Sequence, residues 1–402
     1  MLKKLSLILL LLTTPLLAFD FRFRHNEGDQ FRFLSTVQTS IFSNDNAPPQ
    51  HVEFINRLTY RVAEVDEHGS GRLVGTTATS QRLLGSNAAT LWTTDYEVDF
   101  WRNVRGGYTV APTFHMPMVR NVPFFPEGPV NPGFRWAARG ETALDISQLL
   151  GLTAPFIVPI IVNHHYMGPV EIDGRIYQKI NVQYSYSENL PRPFGRVIRP
   201  NEAIAQRIEA EHNQFIFWDE ELGQPAFYEE EFIRRFTFSN GIILTEVGFA
   251  EAHLIEAIPM NRAELLAELE EQTRRLNFNI EVEESADGIR LIMDSIQFVV
   301  NSAEFLAGEE VKLHQIGQLL QAHHNRDIAI TGHAAAAGNP QFEQVLSEER
   351  ALAVANWLIA NGYRSADNII TQGRGSSEPL VSNATPQGQA RNRRVEITIL
   401  EN

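Results

Sequence analysis

The sequence predicts an α+β fold. A β-rich antiparallel N-terminal region (residues 19–258) is joined by a helical connector (259–284) to a C-terminal two-layer α/β sandwich (285–402). Alternating apolar and polar residues with tight-turn dipeptides predict the first region, and a capped helical pattern predicts the connector. The last region has the order β-α-β-α-β-β. At 402 residues the chain is long enough for two or three domains, each with its own core.

Composition and charge exclude several classes of protein. The chain is 43% hydrophobic and 21% charged, which is typical of a globular protein. Its net charge of -15, without a basic stretch, argues against a nucleic-acid partner, because such binding requires lysine and arginine to neutralise phosphates. The chain has no cysteine, so it forms no disulfides and offers no thiol for a lipid anchor.

The first 18 residues are typical of a secretory signal peptide. Lys3 and Lys4 precede an apolar run over residues 5–17, which ends at Ala18. A transmembrane anchor is the alternative, but the run is shorter than the roughly 20 residues that a spanning helix needs. Leu16 departs from the small-residue rule and leaves the cleavage position open. We expect export to the periplasm, with or without association with the outer membrane or cell wall.

Period-two alternation and two turn dipeptides predict strands and hairpins in residues 19–258. Phenylalanine and charged residues alternate over FDFRFR, residues 19–24. Asp173-Gly174 and Asn240-Gly241 each separate two apolar runs, and both dipeptides suit the positive-φ positions of a tight hairpin turn. We therefore expect two β-hairpins there.

Two stretches of the same region do not read as strands. Residues 201–214, NEAIAQRIEAEHNQ, predict a helix, and residues 122–134 are proline-rich and irregular. A transmembrane barrel is the alternative fold for this region. It would need repeated strands of about ten residues, and the prolines and the predicted helix interrupt that pattern.

We expect a soluble β-rich domain with an unknown ligand or protein partner. The aromatic loop at 123–136 could line an apolar groove, although 25 phenylalanines filling a β-rich core is the simpler account.

The connector begins with a capping signal. Asn261 can cap a helix over residues 261–276, and Glu264, three residues later, can reach back as in a capping box. Leu265 and Leu269 share one face of that helix, which predicts packing on one side.

The C-terminal region combines periodic helices with short strands. Leu313, Ile316 and Leu320 recur at helical spacing, and a second helix from about residue 341 stops at Gly362, which suits the left-handed position after a helix. The segments DIAIT, NIIT and RRVEITI predict strands.

These residues carry a resemblance to a known family. NSAEFL, ITGH, LSEERALAVANWL, GRGSSEP and NRRVEI, in this order over residues 289–400, resemble the OmpA-like C-terminal domain, which binds peptidoglycan in the periplasm. The resemblance implies a cleft for the stem peptide, in which an Asp accepts the ammonium of the diamino acid and an Arg fifteen residues later pairs with its carboxylate. Aligned on Gly332, the Asp position holds Ala335, and the Arg position holds Arg350.

Alanine at position 335 removes one of the two ligand-binding groups that the resemblance implies, the acceptor for the ammonium. Arg can bind a carboxylate with two donors, but a methyl group cannot accept an ammonium proton. A hydrogen bond to a charged group is worth about 1.5 to 3 kcal/mol, or about 10- to 150-fold in affinity. Peptidoglycan binding is therefore expected to be weakened or altered.

The resemblance also implies ligand roles for Asn301 and Arg393. Asn301 follows a strand, where an Asn is as often a turn residue as a ligand contact. Arg393 and Arg394 are adjacent on a strand and point to opposite faces, so one can face the cleft. We favour Arg393.

No pattern indicates catalysis, a metal or a cofactor. The pairs His164-His165 and His323-His324 are poorly placed for joint ligation, because neighbours on a strand point to opposite faces, and the sequence contains no HExxH. A nucleophile elbow and a phosphate-binding loop are also absent from the sequence. We predict a non-catalytic envelope protein that associates with peptidoglycan and tethers the β-rich domain. The alternatives are a scaffold module that has lost wall binding and an outer-membrane barrel with a periplasmic wall-binding domain.

Overall fold

The structure is a computed structural model that describes residues 18–401, except 46, 85–87, 147–149, 151, 153, 194–201, 256–259, 277, 286–287, 294–295 and 300. Most of the predicted signal peptide, residues 1–17, lies outside the described residues. No helix in the described part of the chain combines the length and the apolar character needed to cross a membrane.

Twelve strands of the N-terminal region form one sheet. They are β1 (Gln30–Ser43), β2 (Gln50–Val65), β3 (Gly71–Leu83), β4 (Trp92–Arg102), β5 (Tyr108–Val110), β6 (Val119–Arg120), β7 (Arg135–Leu144), β8 (Phe156–Ile172), β9 (Arg175–Asn189), β10 (Ala205–Asp219), β11 (Gln224–Phe238) and β12 (Ile243–Ile255). Their order in the sheet is β5-β4-β3-β2-β1-β12-β11-β10-β9-β8-β7-β6.

The first strand lies inside this sheet and pairs on both sides. Val37 of β1 is opposite Phe54 of β2 and opposite Ala250 of β12, and both pairings are antiparallel. Strands β1 to β5 therefore follow one another from the inside of the sheet to one edge, where β5 lies. Strand β6 lies at the other edge, and β7 to β12 follow one another from there back to β1. Among the described strands of this sheet, the β1–β12 pairing is the one that joins strands far apart in sequence.

Both predicted hairpins are confirmed. Asp173 and Gly174 have φ angles of 50° and 78° and connect β8 to β9. Asn240-Gly241 lies between β11 and β12, with Gly241 at φ 84°. Asp173, Gly174 and Gly241 take the positive φ values for which such dipeptides are favoured.

The predicted helix over residues 201–214 is wrong. Residues 205–214 belong to strand β10, which pairs with β9 and β11 on its two sides. Ile208 and Ala210 are buried, whereas Glu209 between them is half-buried and Glu211 after them is exposed, so the period is two. Helix-forming Ala, Glu, Gln and Arg suggested a helix, but the pairing available on both edges overrides that local propensity.

The buried face of the large sheet contains two apolar clusters. On β9, Val182, Tyr184 and Tyr186 are buried and the residues between them are exposed. The larger cluster is closed by the segment before β1: Phe21 stacks on Phe125, with 5.0 Å between ring centroids, in contact with Trp218. The chain start described here is thus part of the N-terminal core.

The remaining elements form the C-terminal α/β unit. They are α1 (Arg262–Thr273), β13 (Glu281–Ser285), β14 (Gly288–Met293), α2 (Glu309–Gln321), β15 (Ile328–Gly332), α3 (Pro340–Ala360), β16 (Ile369–Gly373), α4 (Pro386–Asn392) and β17 (Val395–Leu400). The strand order is β13-β14-β17-β15-β16, and β15 and β16 are parallel while the other pairs are antiparallel. Strand β13 and helix α4 are additions to the predicted order.

The capping signal of α1 is confirmed. The Asn261 side chain accepts the N–H of Glu264 at 3.3 Å and donates to the Glu264 carboxylate at 3.0 Å. Leu265 and Leu269 pack into the same core as the sheet and helices α2 and α3.

Candidate functional site

The alanine loop, residues 333–339, connects the end of β15 to the start of α3. Its backbone is held from several directions. The Ala334 N–H donates to the carbonyl of Gly375 at 2.8 Å, and the Ala336 N–H donates to the side chain of Asn383 at 3.3 Å. Gly338 has a φ of 93°, a backbone conformation that favours glycine. Hydrogen bonds to the backbone of the alanines therefore hold this part of the loop.

Glu343 provides the strongest of these contacts. Its carboxylate is buried and accepts the N–H of Ala337 at 2.5 Å, the N–H of Asn339 at 3.3 Å and the hydroxyl of Ser376 at 2.5 Å. The Ser376 hydroxyl, followed by the Ala337 N–H, lowers the pKa of Glu343. The sequence interpretation missed this role, although an acid in the first turn of a helix that Asn339 caps is a recognisable signal.

Ala335 occupies the position where the resemblance implies an Asp. Its side chain is 9% exposed, and that of Ala334 is 5% exposed. Both oxygens of Glu343 instead serve the loop and its neighbour: Oε1 accepts from Ala337 and Asn339, and Oε2 accepts from Ser376. Position 335 therefore holds a buried methyl group, which cannot accept a hydrogen bond.

Gly332 allows β15 and α3 to pack closely. A Cβ atom built on Gly332 would lie 2.0 Å from the carbonyl oxygen of Ser347, which belongs to α3. The Gly332 carbonyl accepts the N–H of Arg374 at 3.0 Å. Of the predicted ligand residues, Gly332 thus has a clear packing reason to be glycine.

Arg350 lies on α3 with its side chain buried. It is 5% exposed, its Nε donates to the carbonyl of Ser302 at 3.1 Å, and its guanidinium lies 4.9 Å from the ring centroid of Phe298. Burial, and next the charge of Arg393, lower the pKa of Arg350. Arg350 forms no ion pair with any carboxylate that the structure describes. A buried guanidinium without a counter-ion is costly, and an anionic ligand would offset that cost.

The two adjacent arginines precede β17 and do not lie on a strand as predicted, but their burial differs. Arg394 is buried, pairs with Glu396 at 2.7 Å and donates to the carbonyl of Glu378 at 3.2 Å. Arg393 is exposed, and among the described residues it has no carboxylate partner. Arg393 is therefore the one of the two whose charge is available near Arg350.

Glu396 is the centre of a buried charged cluster beneath the loop. Besides Arg394, it pairs with Arg290 at 3.1 Å and lies 3.5 Å from Nε2 of His333. Burial alone would raise the pKa of Glu396, but its interactions with His333 and Arg394 outweigh burial and lower that pKa to about 2. His333 is 1% exposed, and its backbone N–H donates to the carbonyl of Arg394. Through His333, which is the first residue of the alanine loop, this cluster holds the start of the loop in place.

Asn301 lies in a turn beside Arg350. It has a φ of 56° and an exposed side chain. The Ser302 N–H donates to the carbonyl of Val299 at 3.0 Å, which closes the turn. Asn is one of the few residues that tolerate positive φ, so the turn explains its identity. The carbonyl of Ser302, the next residue, holds Arg350.

The N-terminal sheet carries an open cleft of about 1430 Å³. Its lining mixes amide, hydroxyl and carboxylate side chains with apolar ones, among them Gln183, Ser185, Glu211, Ile233 and Phe249. The cleft is therefore not the uniformly apolar groove considered for the aromatic loop, and it lies on β1 and strands β8 to β12.

The C-terminal unit is similar to known proteins. The OmpA family matches residues 297–393. The peptidoglycan-binding protein ArfA of Mycobacterium tuberculosis is 36% identical over 104 residues, which cover 26% of this chain and 32% of ArfA. The putative lipoprotein YfiB of Escherichia coli is 31% identical over 108 residues, which cover 27% of this chain and 68% of YfiB.

A solved structure of an outer membrane protein from Borrelia burgdorferi is 38% identical, over 30% of this chain and 97% of that one, with a TM-score of 0.26. The present chain spans only about a third of the length of ArfA. The match to YfiB, by contrast, extends over most of that protein. Through residues 297–393 of its C-terminal α/β unit, the chain belongs to the OmpA family.

Proposed function

We propose that the chain is a non-catalytic envelope protein whose OmpA-like unit associates with peptidoglycan and tethers the β-rich N-terminal domain. In this proposal Arg350 binds a carboxylate of the stem peptide, and Arg393 adds a second positive charge. Gly332 and Ala335 shape the loop beside them, and Asn301 orders the turn that holds Arg350. Its matched relative ArfA is named as a peptidoglycan-binding protein.

The observation that carries the proposal is the state of Arg350. This guanidinium is buried and has no described counter-ion, and Arg393 contributes a further positive charge. Burial penalises an isolated charge, so a site that keeps one without a counter-ion is suited to an anion. Arg also offers the planar pair of donors that a carboxylate accepts.

The proposal includes weakened or altered binding of a diaminopimelate-type wall. Ala335 supplies no acceptor for the ammonium of the diamino acid, and Glu343 is occupied by the loop. One hydrogen bond to a charged group accounts for about 10- to 150-fold in affinity. The same observation favours a second candidate function, a scaffold unit that has lost wall binding.

The place of action in this proposal is the periplasm. The N-terminal 18 residues have the pattern of a secretory signal, and the matched relatives include an outer membrane protein. The OmpA-like unit would then hold the large sheet and its cleft near the wall.

Co-sedimentation with purified sacculi tests the function. The protein without substitutions should pellet with sacculi above background, and Arg350→Met, which keeps the apolar stem, should reduce pelleting to background. Arg393→Ala should weaken pelleting without a folding defect, because the Arg393 side chain is exposed. Arg391→Ala is the matched control, because Arg391 is an exposed arginine two residues earlier in the chain, and it should pellet normally.

Two outcomes contradict the proposal. Background pelleting of the unsubstituted protein favours the scaffold function. Equal pelleting of the unsubstituted protein and Arg350→Met, with both folded by circular dichroism, places wall binding elsewhere on the chain.

A further inference from the structure

A buried carboxylate at the start of β15 contacts both halves of the chain. Asp327 is 3% exposed and accepts from Arg32 of β1 at 2.6 Å, from Arg57 of β2, and from Asn368 at 2.8 Å. Arg57 is also buried and donates to the carbonyl of Asp367. Two arginines of the N-terminal sheet thus neutralise an acid of the OmpA-like unit.

The outer strand of the OmpA-like sheet is covered by the same region. Strand β16 ends the strand order, and Leu91 forms a parallel bridge with Thr371 of that strand. The Thr371 hydroxyl donates to the carbonyl of Thr90 at 2.5 Å, and the indole N–H of Trp92 donates to the carbonyl of Ile369 at 3.3 Å. An open sheet edge exposes unpaired backbone groups, and here the chain satisfies part of that edge itself.

A side chain of α3 and an apolar residue complete the contact. The Asn356 side chain accepts the N–H of Ala89 at 2.9 Å, and Ala89 is buried in the core of the OmpA-like unit. We call these interactions together the docking contact. It consists of the ion pairs of Asp327 with Arg32 and Arg57, and of the contacts of residues 89–92 with β16.

We propose that the docking contact is an interaction surface of the OmpA-like unit whose partner is the N-terminal sheet of the same chain, and that it holds the two units in one orientation. Each half of the contact is incomplete without the other. Undocking would leave Asp327 without the two guanidiniums that neutralise it, and β16 would lose its edge partner.

This orientation leaves the proposed peptidoglycan site open. Asp327 precedes the five-residue strand β15 and Ala335 follows it, so about 17 Å of extended chain separate the two. If the proposed function holds, peptidoglycan binds at one end of β15 and the N-terminal sheet docks at the other end.

The docking contact is also continuous with the edge of the cleft. Gln38, which lines the cleft, donates to Glu53 at 3.4 Å, Glu53 pairs with Arg82, and Arg82 reaches Asp367 at 3.3 Å. The cleft would therefore have a fixed position relative to the OmpA-like unit.

Distance measurements between two spin labels in the full chain test the proposal. The chain has no cysteine, so Ile176→Cys on β9 and Val311→Cys on α2, at positions 65% and 64% exposed, give one label in each unit. We expect a single narrow distance distribution in the labelled protein. Asp327→Ala together with Thr371→Ala should broaden that distribution at least twofold.

Asp99→Ala is the matched control, because Asp99 forms a bidentate ion pair with Arg72 inside the N-terminal sheet. That substitution should leave the distribution narrow. Arg82→Ala, at the rim of the contact, should broaden it partly and serves as the second variant if the double substitution does not fold.

A broad distribution before any substitution would overturn the inference, and so would an unchanged width in every docking variant. If a mixture of two singly labelled chains gives the same narrow distance distribution, the partner is a second copy of the chain, and the intramolecular contact is wrong. None of these distance measurements requires sacculi. Loss of docking is therefore measured by spin-label distances, and loss of wall binding is measured separately by pelleting.

Discussion

The positive charges of Arg350 and Arg393 act on one another. After the larger effect of burial, the charge of Arg393 lowers the pKa of Arg350. Neither guanidinium forms an ion pair with a described carboxylate. The pair is therefore repulsive in the free protein, and a bound anion would relieve that repulsion.

Arg393→Ala should weaken sacculus binding without lowering the stability of the free protein. The substitution removes a repulsive charge near Arg350, and because Arg393 is exposed, solvent screening limits the change in the free energy of unfolding to about ±0.5 kcal/mol. Urea unfolding and sacculus pelleting measure the two effects. Arg391→Ala instead loses an ion pair with Glu281 and should leave binding unchanged. A loss of stability above about 1 kcal/mol in Arg393→Ala would contradict the repulsive arrangement.

Ala335→Asp should strengthen binding to a diaminopimelate-type wall by about 10- to 150-fold, because it supplies an acceptor for the ammonium group. Titration of a diaminopimelate-containing stem peptide by calorimetry measures the gain. Ala335→Asn has a similar size without the charge and should gain less. Equal affinities for the Asp and Asn variants would show that charge at position 335 does not act on the ligand.

Glu396→Gln should destabilise the OmpA-like unit at neutral pH and have less effect in acid. The folded pKa of about 2 lies below the ordinary value of 4.5, so the stabilisation is present above pH 4.5 and is lost as the pH falls toward 2. That pKa difference corresponds to about 3 kcal/mol at pH 7. Urea unfolding at pH 7, 4 and 3 measures the change, with the exposed Glu284→Gln as the control. A destabilisation that stays constant down to pH 3 would contradict the assignment.

Gly332→Ala should destabilise the protein by about 1 to 3 kcal/mol or more, because the new methyl group would lie 2.0 Å from the backbone carbonyl of Ser347. Gly338→Ala is the matched control in the same loop. Its Cβ meets nothing within 4 Å, so only the φ of 93° opposes alanine, at a cost of about 1 to 2 kcal/mol. Thermal unfolding ranks the two variants, and a lower stability for Gly338→Ala would refute the packing argument.

Phe21→Ala should cost about 3 to 5 kcal/mol in the N-terminal domain. Phe21 is 2% exposed and contacts the rings of Phe125, Tyr166 and Trp218. Phe42→Ala removes a side chain that is 44% exposed on β1 and should cost much less. Tryptophan fluorescence during urea unfolding measures both. Similar midpoints would mean that the segment before β1 is not part of the cooperative core.

The sequence by itself determined the features that depend on neighbouring residues. Asp173-Gly174 specifies a hairpin because its φ values are set locally, and Asn261 with Glu264 starts a helix for the same reason. The order of short motifs from Asn301 to Arg394 identified the OmpA-like unit.

Tertiary structure decided the features whose partners are distant in the chain. Residues 205–214 have helical propensity, but β9 and β11 pair with both of their edges and make them a strand. Glu343 accepts from Ser376, 33 residues later in the chain, and Asp327 meets Arg32 and Arg57 across separations of 295 and 270 residues. Sequence spacing carries no information about such contacts, because only the folded sheets bring these charges together and remove them from water.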